Sequence, residues 1–88
     1  MKPVVISAHA LQQMSLRGAL EEEVEAAIAL GEKSPARVGR IAFRKNFTFR
    51  SVWKGRYYEM KQVMPVVVEE ADATVVVTVY VFYFGGQP

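Results

Sequence analysis

The spacing of apolar residues changes partway along the chain, and the change predicts two kinds of element. Val4, Val5 and Ile6 form a short apolar run. Ser7 then reads as an N-cap, its hydroxyl placed to accept an otherwise unpaired backbone N–H of the next turn. Residues 8–16 are good helix formers without interruption, with Leu11 and Met14 three apart on the side to be buried. Arg17-Gly18 ends this helix, because glycine readily supplies the left-handed conformation of a C-terminal stop. A second helix is predicted over residues 20–30, where Leu20, Val24, Ala27 and Ile28 recur at helical spacing and form one face. Glu21, Glu22 and Glu23 suit its positive N-terminal end. Gly31 closes it and Ser34-Pro35 prevents continuation. So few residues separate the two helices that they form a helical hairpin.

Downstream the period falls to two. Strands are predicted over residues 38–44, 47–53, 56–68 and 74–84, with Lys54-Gly55 as a hairpin turn. Pro65 cannot donate to a ladder, which predicts a bulge or an edge position there. The last strand is apolar on both faces and is therefore expected at the centre of the sheet. Its odd positions, Val75 to Tyr83, suit packing against the helices. Its even positions, including Tyr80, Phe82 and Phe84, form an aromatic face that no helix is left to cover. The expected fold class is α+β: an N-terminal helical hairpin on one face of a three- to four-stranded antiparallel sheet. Residues 1–88 form a single domain in this reading.

Composition narrows the picture. The 88 residues are 51% hydrophobic and 23% charged, enough for one packed core and unlike a disordered tail. Cysteine is absent and histidine occurs once, which removes disulfides and thiolate metal sites and leaves no expectation of a metal or other cofactor. The longest apolar run, Val75 to Phe84, is about half the ~20 residues of a membrane span, and Met1-Lys2-Pro3 opens no signal sequence. A cytoplasmic protein with no membrane partner is expected.

Net charge is only +2, yet the charges are segregated. Nine of the 11 basic residues lie between Lys33 and Lys61, a stretch that holds one acid, Glu59. Such a local excess attracts phosphate backbones; equally, lysine and arginine protect strand edges from aggregation. Phe47, Phe49, Trp53, Tyr57 and Tyr58 interleave with these cations, and aromatic faces stack unpaired bases. Arg44, Arg50, Trp53, Lys54, Arg56 and Tyr57 are the candidate nucleic-acid contacts.

No nucleophile elbow or phosphate-binding glycine loop is present. Metal-free cleavage of RNA needs less: a proton acceptor, a proton donor, and cations beside the developing phosphorane charge. His9, in the first turn of the first helix, is a candidate acid–base group and Glu59 another. Gln13 and Arg17 follow His9 at one-turn intervals along the same helix. Tyr57, Tyr58 and Tyr83 are candidate donors, and Arg17, Arg44, Arg56 and Lys61 candidate phosphate ligands. A lone first-turn histidine serves equally well as a surface hydrogen-bonding residue.

The string Ser7-Ala8-His9-Ala10, Met14-Ser15-Leu16-Arg17-Gly18, Glu21-Glu22-Glu23-Val24 resembles the start of the domain-of-unknown-function 4258 family of small bacterial and archaeal proteins. Trp53-Lys54-Gly55-Arg56-Tyr57-Tyr58, Lys61-Gln62-Val63 and Thr78-Val79-Tyr80 resemble its second half. The helices-then-sheet order is similar to that of RelE-like and BrnT-like toxins, which cleave RNA, although fold alone does not fix activity. The resemblance implies His9, Arg17 and Lys61 as the first choices for a catalytic set. The chain departs from the pattern at Ala19 and Leu20, where a capping residue is usual; its loss costs about 1 kcal/mol.

Two functions are expected from these readings. The first is a nucleic-acid-binding or RNA-cleaving, toxin-like protein with RNA and a cognate antitoxin as partners. Its weaker form binds RNA or DNA without cleavage. The second is a non-catalytic interaction module, a homodimer included, that uses the aromatic face of the last strand.

Overall fold

A computed structural model describes residues 2–86; residues 1, 87 and 88 of the expected domain lie outside the described residues. The element order is β1 (Val4–Ile6), α1 (Ala8–Arg17), α2 (Glu21–Leu30), β2 (Glu32–Pro35), β3 (Ile41–Trp53), β4 (Arg56–Glu69) and β5 (Thr74–Phe84). All five strands join one sheet in the order β1-β5-β4-β3-β2. No helix among the described residues is long and apolar enough to cross a membrane.

The α+β class holds, but the sheet is five-stranded and mixed where three or four antiparallel strands were expected. The short run Val4–Ile6 pairs in parallel with Thr74–Val76, at the other end of the chain. Its direction is fixed by two backbone bonds, Thr74 N–H to Pro3 O and Ser7 N–H to Val76 O. The second unexpected strand, β2, is Glu-Lys-Ser-Pro and carries turn-like residues. It pairs with β3 as an edge, where a proline is tolerated because one side of the strand needs no partner. Residues 38–53, expected as two strands, contain one long strand that starts at Ile41. It runs through Lys45 and Asn46, and Gln62 Nε2 donates across to Asn46 Oδ1 at 3.0 Å.

The last strand is not central. It lies second from one edge, and β1 covers only its first three residues, so its other side is an edge from Val77 onward. The central strand is β4, which pairs along its length with both β3 and β5. Pro65 sits in that strand, fully buried opposite Val79. The register slips at the next step: Val66 faces Thr78 while Val67 faces Val76, so Val77 is an extra residue on β5. A bulge of this kind changes which residues face a given side. The helix-facing set is therefore Val76 followed by Val79, Val81 and Tyr83, rather than the odd positions throughout.

The local signals at the helices are met. The Ala10 N–H donates to Ser7 Oγ at 3.1 Å, and Gly18 closes α1 in the left-handed region with φ 82°. Without a capping side chain at Leu20, Glu23 reaches back to accept from the Leu20 N–H at 3.0 Å. Gly31 has ordinary extended backbone, and its need for glycine is spatial: a Cβ there would strike the Ala27 and Arg44 carbonyls. Each helix packs on the sheet, α1 over β5 and α2 over β4 and β3. Ala10, Met14, Ala19 and Val24 meet Phe43, Val63, Val67, Val76 and Val79 in the core. Each valine buried there contributes about 1.5–3 kcal/mol. Leu11 and Leu20, expected on the buried stripes, are 46% and 55% exposed. Helices lying flat on a sheet bury a narrower stripe than helices that also pack on each other.

Candidate functional site

The end of α1 is tied to the sheet by side chains that arrive from four elements. Gly18 O accepts from Lys61 Nζ at 2.7 Å, and Arg17 O accepts from the Tyr83 hydroxyl at 2.8 Å. Lys61 is 4% exposed and also pairs with Glu23 Oε1 at 2.8 Å. A helix leaves its last carbonyls without intrahelical partners, and here an ammonium and a phenol supply them. Burial, and then the Glu23 carboxylate, push the Tyr83 phenol above its ordinary pKa, so it stays a donor into alkaline solution. The Trp53 ring stacks on Tyr83 with centroids 5.1 Å apart, and Phe49 meets the same ring edge-on at 5.2 Å. A Cβ at Gly18 would run into Tyr83 and lie 2.9 Å from Trp53.

The Arg17 side chain leaves this knot over the edge of β5. Its Nη1 donates to Val79 O at 2.9 Å, and its guanidinium lies over the Tyr80 ring, 4.9 Å from the centroid. Arg17 and Lys61 are thus neighbours through the Arg17-Gly18 backbone, each holding a carbonyl. His9 stands apart from them. It is an exposed residue in the first turn of α1, and at 1.5 Å rise per residue its Cα lies about 12 Å along the helix from that of Arg17.

The cations of the β3–β4 hairpin form a second group. Phe49 and Arg50 together oppose Glu59, a bulge in which Arg50 takes φ 45°. Arg50 Nε pairs with Glu59 Oε2 at 2.7 Å, and the Tyr57 hydroxyl donates to Glu59 Oε1 at 3.1 Å. The Arg50 bond, followed by the Tyr57 bond, holds the Glu59 carboxyl below the usual carboxylate range. At the tip, Lys54 and Gly55 both have positive φ, as a two-residue type I′ turn requires. Lys54 Nζ lies 5.6 Å from the Trp53 ring centroid, and Arg56 is exposed beside it.

The face of the sheet away from the helices carries a third group. The register sets Ala42, Val66 and Thr78 in one row, Asn46, Gln62 and Phe82 in another, and Thr48, Met60 and Phe84 in a third. Arg44, Met64 and Tyr80 lie between the first two. Tyr80, Phe82 and Phe84 are all substantially exposed, as the sequence expects of an aromatic face that no helix covers. The segment from Pro35 to Arg40 rises at one side and encloses a groove of about 420 Å³. Its floor is Ala42, Met64, Val66 and Thr78, with Arg37, Arg40 and Arg44 at its rim and Tyr80 at its end. Among the described residues, Arg37 and Arg40 make no ion pair; Arg44 Nη1 reaches Ser34 Oγ at 3.5 Å, the outer limit of a hydrogen bond. The acid opposite Arg44 across the strand pair is Glu32, and the two form no salt bridge.

Of the candidate residues, Arg17, Lys61 and Trp53 meet at the end of α1. Arg50, Lys54, Arg56 and Tyr57 lie along the hairpin, Arg44 joins the groove, and His9 joins none of these groups. Sequence reading missed Glu23 as the partner of Lys61, and Arg37 and Arg40 as rim residues. The glutamate was hidden among three in a helix start, and the arginines gain meaning only when their loop folds over the sheet. No cluster of three His, Asp or Glu side chains suited to a metal ion occurs among the described residues. Residues 6–81 match the model of the family described as domain of unknown function DUF4258, and the chain belongs to that family. No curated protein matches the chain, and no solved structure matches it.

Proposed function

We propose that this protein binds nucleic acid, with the helix-free face of the sheet as its contact surface. The observation that carries this reading is the meeting, on one uncovered face, of exposed aromatic rings on β5 with the guanidinium groups of Arg37, Arg40 and Arg44. Cations that hold no carboxylate among the described residues are available to phosphates, and exposed rings that no helix covers are available to bases. Lys54 and Arg56 are exposed cations at the hairpin tip, at the far end of β3 from the groove.

Binding without cleavage is the form of this reading that the geometry favours. Arg17 and Lys61 already hold backbone carbonyls, and His9 is carried by the helical layer, apart from the groove. A catalytic role for His9 would show as RNA hydrolysis by the purified protein that His9→Ala abolishes.

The test of binding is its salt dependence. A short single-stranded RNA should bind at low salt and weaken linearly in log–log form as salt rises. Arg40→Gln and Arg44→Gln should each flatten the slope by about 0.7, the share of one phosphate contact on a single strand. Affinity indifferent to salt, or equal for RNA and an uncharged polymer, would remove the proposal.

A further inference from the structure

Beyond the short stretch covered by β1, the outer side of β5 has no strand partner. Pro65 shows which backbone groups are turned there. The β4–β5 ladder passes through Pro65 opposite Val79 with no register shift at that pair, although proline has no N–H to give. Opposite residues in an antiparallel ladder alternate between pairs that exchange hydrogen bonds and pairs that do not, so Pro65 and Val79 are a pair of the second kind. Val79 therefore turns its backbone groups outward, where Arg17 Nη1 takes the carbonyl. Val81 and Tyr83 follow in the same register and turn theirs the same way. Arg17 stands at the start of this row. Rooted in α1, its guanidinium wraps the edge to lie over the Tyr80 ring on the other face of the sheet. It pairs with no carboxylate among the described residues, and an arginine has N–H donors to spare beyond the one that Val79 uses.

We propose that the outer edge of β5 docks an extended segment of another protein that carries an aspartate or glutamate side chain against Arg17. The segment is about five residues long, enough to lie along Tyr80–Phe84 and exchange backbone bonds with Val81 and Tyr83. Backbone pairing supplies the affinity, and the guanidinium supplies the choice of partner. A second copy of the chain does not meet both demands. Its β5 and β1 contain no acid. Its β2, Glu-Lys-Ser-Pro, sets a lysine beside the glutamate and ends in a proline that cannot donate. The edge shares only Tyr80 with the arginine-rimmed groove, and the inference stands whether or not that groove holds nucleic acid.

The experiment titrates the full chain with blocked heptapeptides of alternating threonine and valine that carry glutamate, glutamine or lysine near one end, followed by NMR. In the free protein the Val81 and Tyr83 amides should exchange quickly with solvent, and the glutamate peptide should slow both. It should bind about threefold more tightly than the glutamine peptide, the scale of an exposed ion pair, and the lysine peptide should bind most weakly. Arg17→Gln should bring the glutamate-to-glutamine ratio to near one, while Arg17→Lys should keep a preference for glutamate. Unchanged shifts of the core valines confirm that both variants are folded. If no peptide slows exchange at Val81 and Tyr83, the dock is overturned. Equal binding of all three peptides overturns the acidic partner. A dimer of the unmodified protein in which the same two amides are protected without peptide gives the edge to a second copy and overturns the proposal.

Discussion

At Lys61 a buried ammonium makes both of its bonds inside the protein, to Gly18 O and to Glu23. Replacing it with methionine keeps the volume and leaves Glu23 without its cation. Removing one partner of a buried pair costs roughly 3–5 kcal/mol, and the lower end is expected here because Glu23 keeps some access to water. Urea denaturation of Lys61→Met should show that loss, and Lys61→Met combined with Glu23→Gln should recover part of it. If Lys61→Met unfolds at the parent's urea midpoint, the pair does not hold the fold. Glu59 gives a second test at this scale. Its carboxyl is held low by Arg50 and then Tyr57. A depressed carboxylate adds stability above its ordinary pKa and loses it as the pH falls through the lowered value. Both partners are exposed, so the visible effect is on titration: by NMR, Arg50→Ala should raise the Glu59 midpoint toward the ordinary range. An unmoved midpoint would show that the pair does not persist in solution.

The element with most at stake is β5. It holds eleven residues without a charge or a proline, and from Val77 onward one side has no strand partner. Edges of that composition invite pairing with other chains. The guard comes from α1, whose Arg17 takes the Val79 carbonyl. Arg17→Ala should therefore raise self-association, seen as a mass increasing with concentration in light scattering. A strictly monomeric variant would show that the rest of α1 suffices. This strand also explains what could be read in advance and what could not. Its limits, 74–84, follow from alternation and the flanking turn. The one-residue bulge at Val77 leaves no trace in a run of valines, and it decides which of them meet the helices. The parallel partner Val4–Ile6 was legible as apolar and not as paired, since nothing local says which distant strand it will join.

Across the whole molecule, the fold gives five of the nine cations between Lys33 and Lys61 three different kinds of surroundings. Lys61 is buried, Arg50 is paired, and Arg37, Arg40 and Arg44 face solvent around a groove. Charge along the chain thus reported that a positive surface exists, while its location depends on the loop that lifts Arg37 and Arg40 over the sheet. The salt dependence proposed above belongs to this scale, because it counts only the cations the fold leaves free.

The pairing of Val4–Ile6 with Thr74–Val76 brings together segments some seventy positions apart. Closing so long a loop carries an entropic penalty before any contact compensates for it, and folds built on distant pairings form more slowly than those built from neighbours. The first helix packs chiefly on β5, the last of the five strands, so during synthesis Met14 and Ala10 stay largely uncovered until that strand is made. Translation pauses between α1 and β5 would lengthen that vulnerable interval.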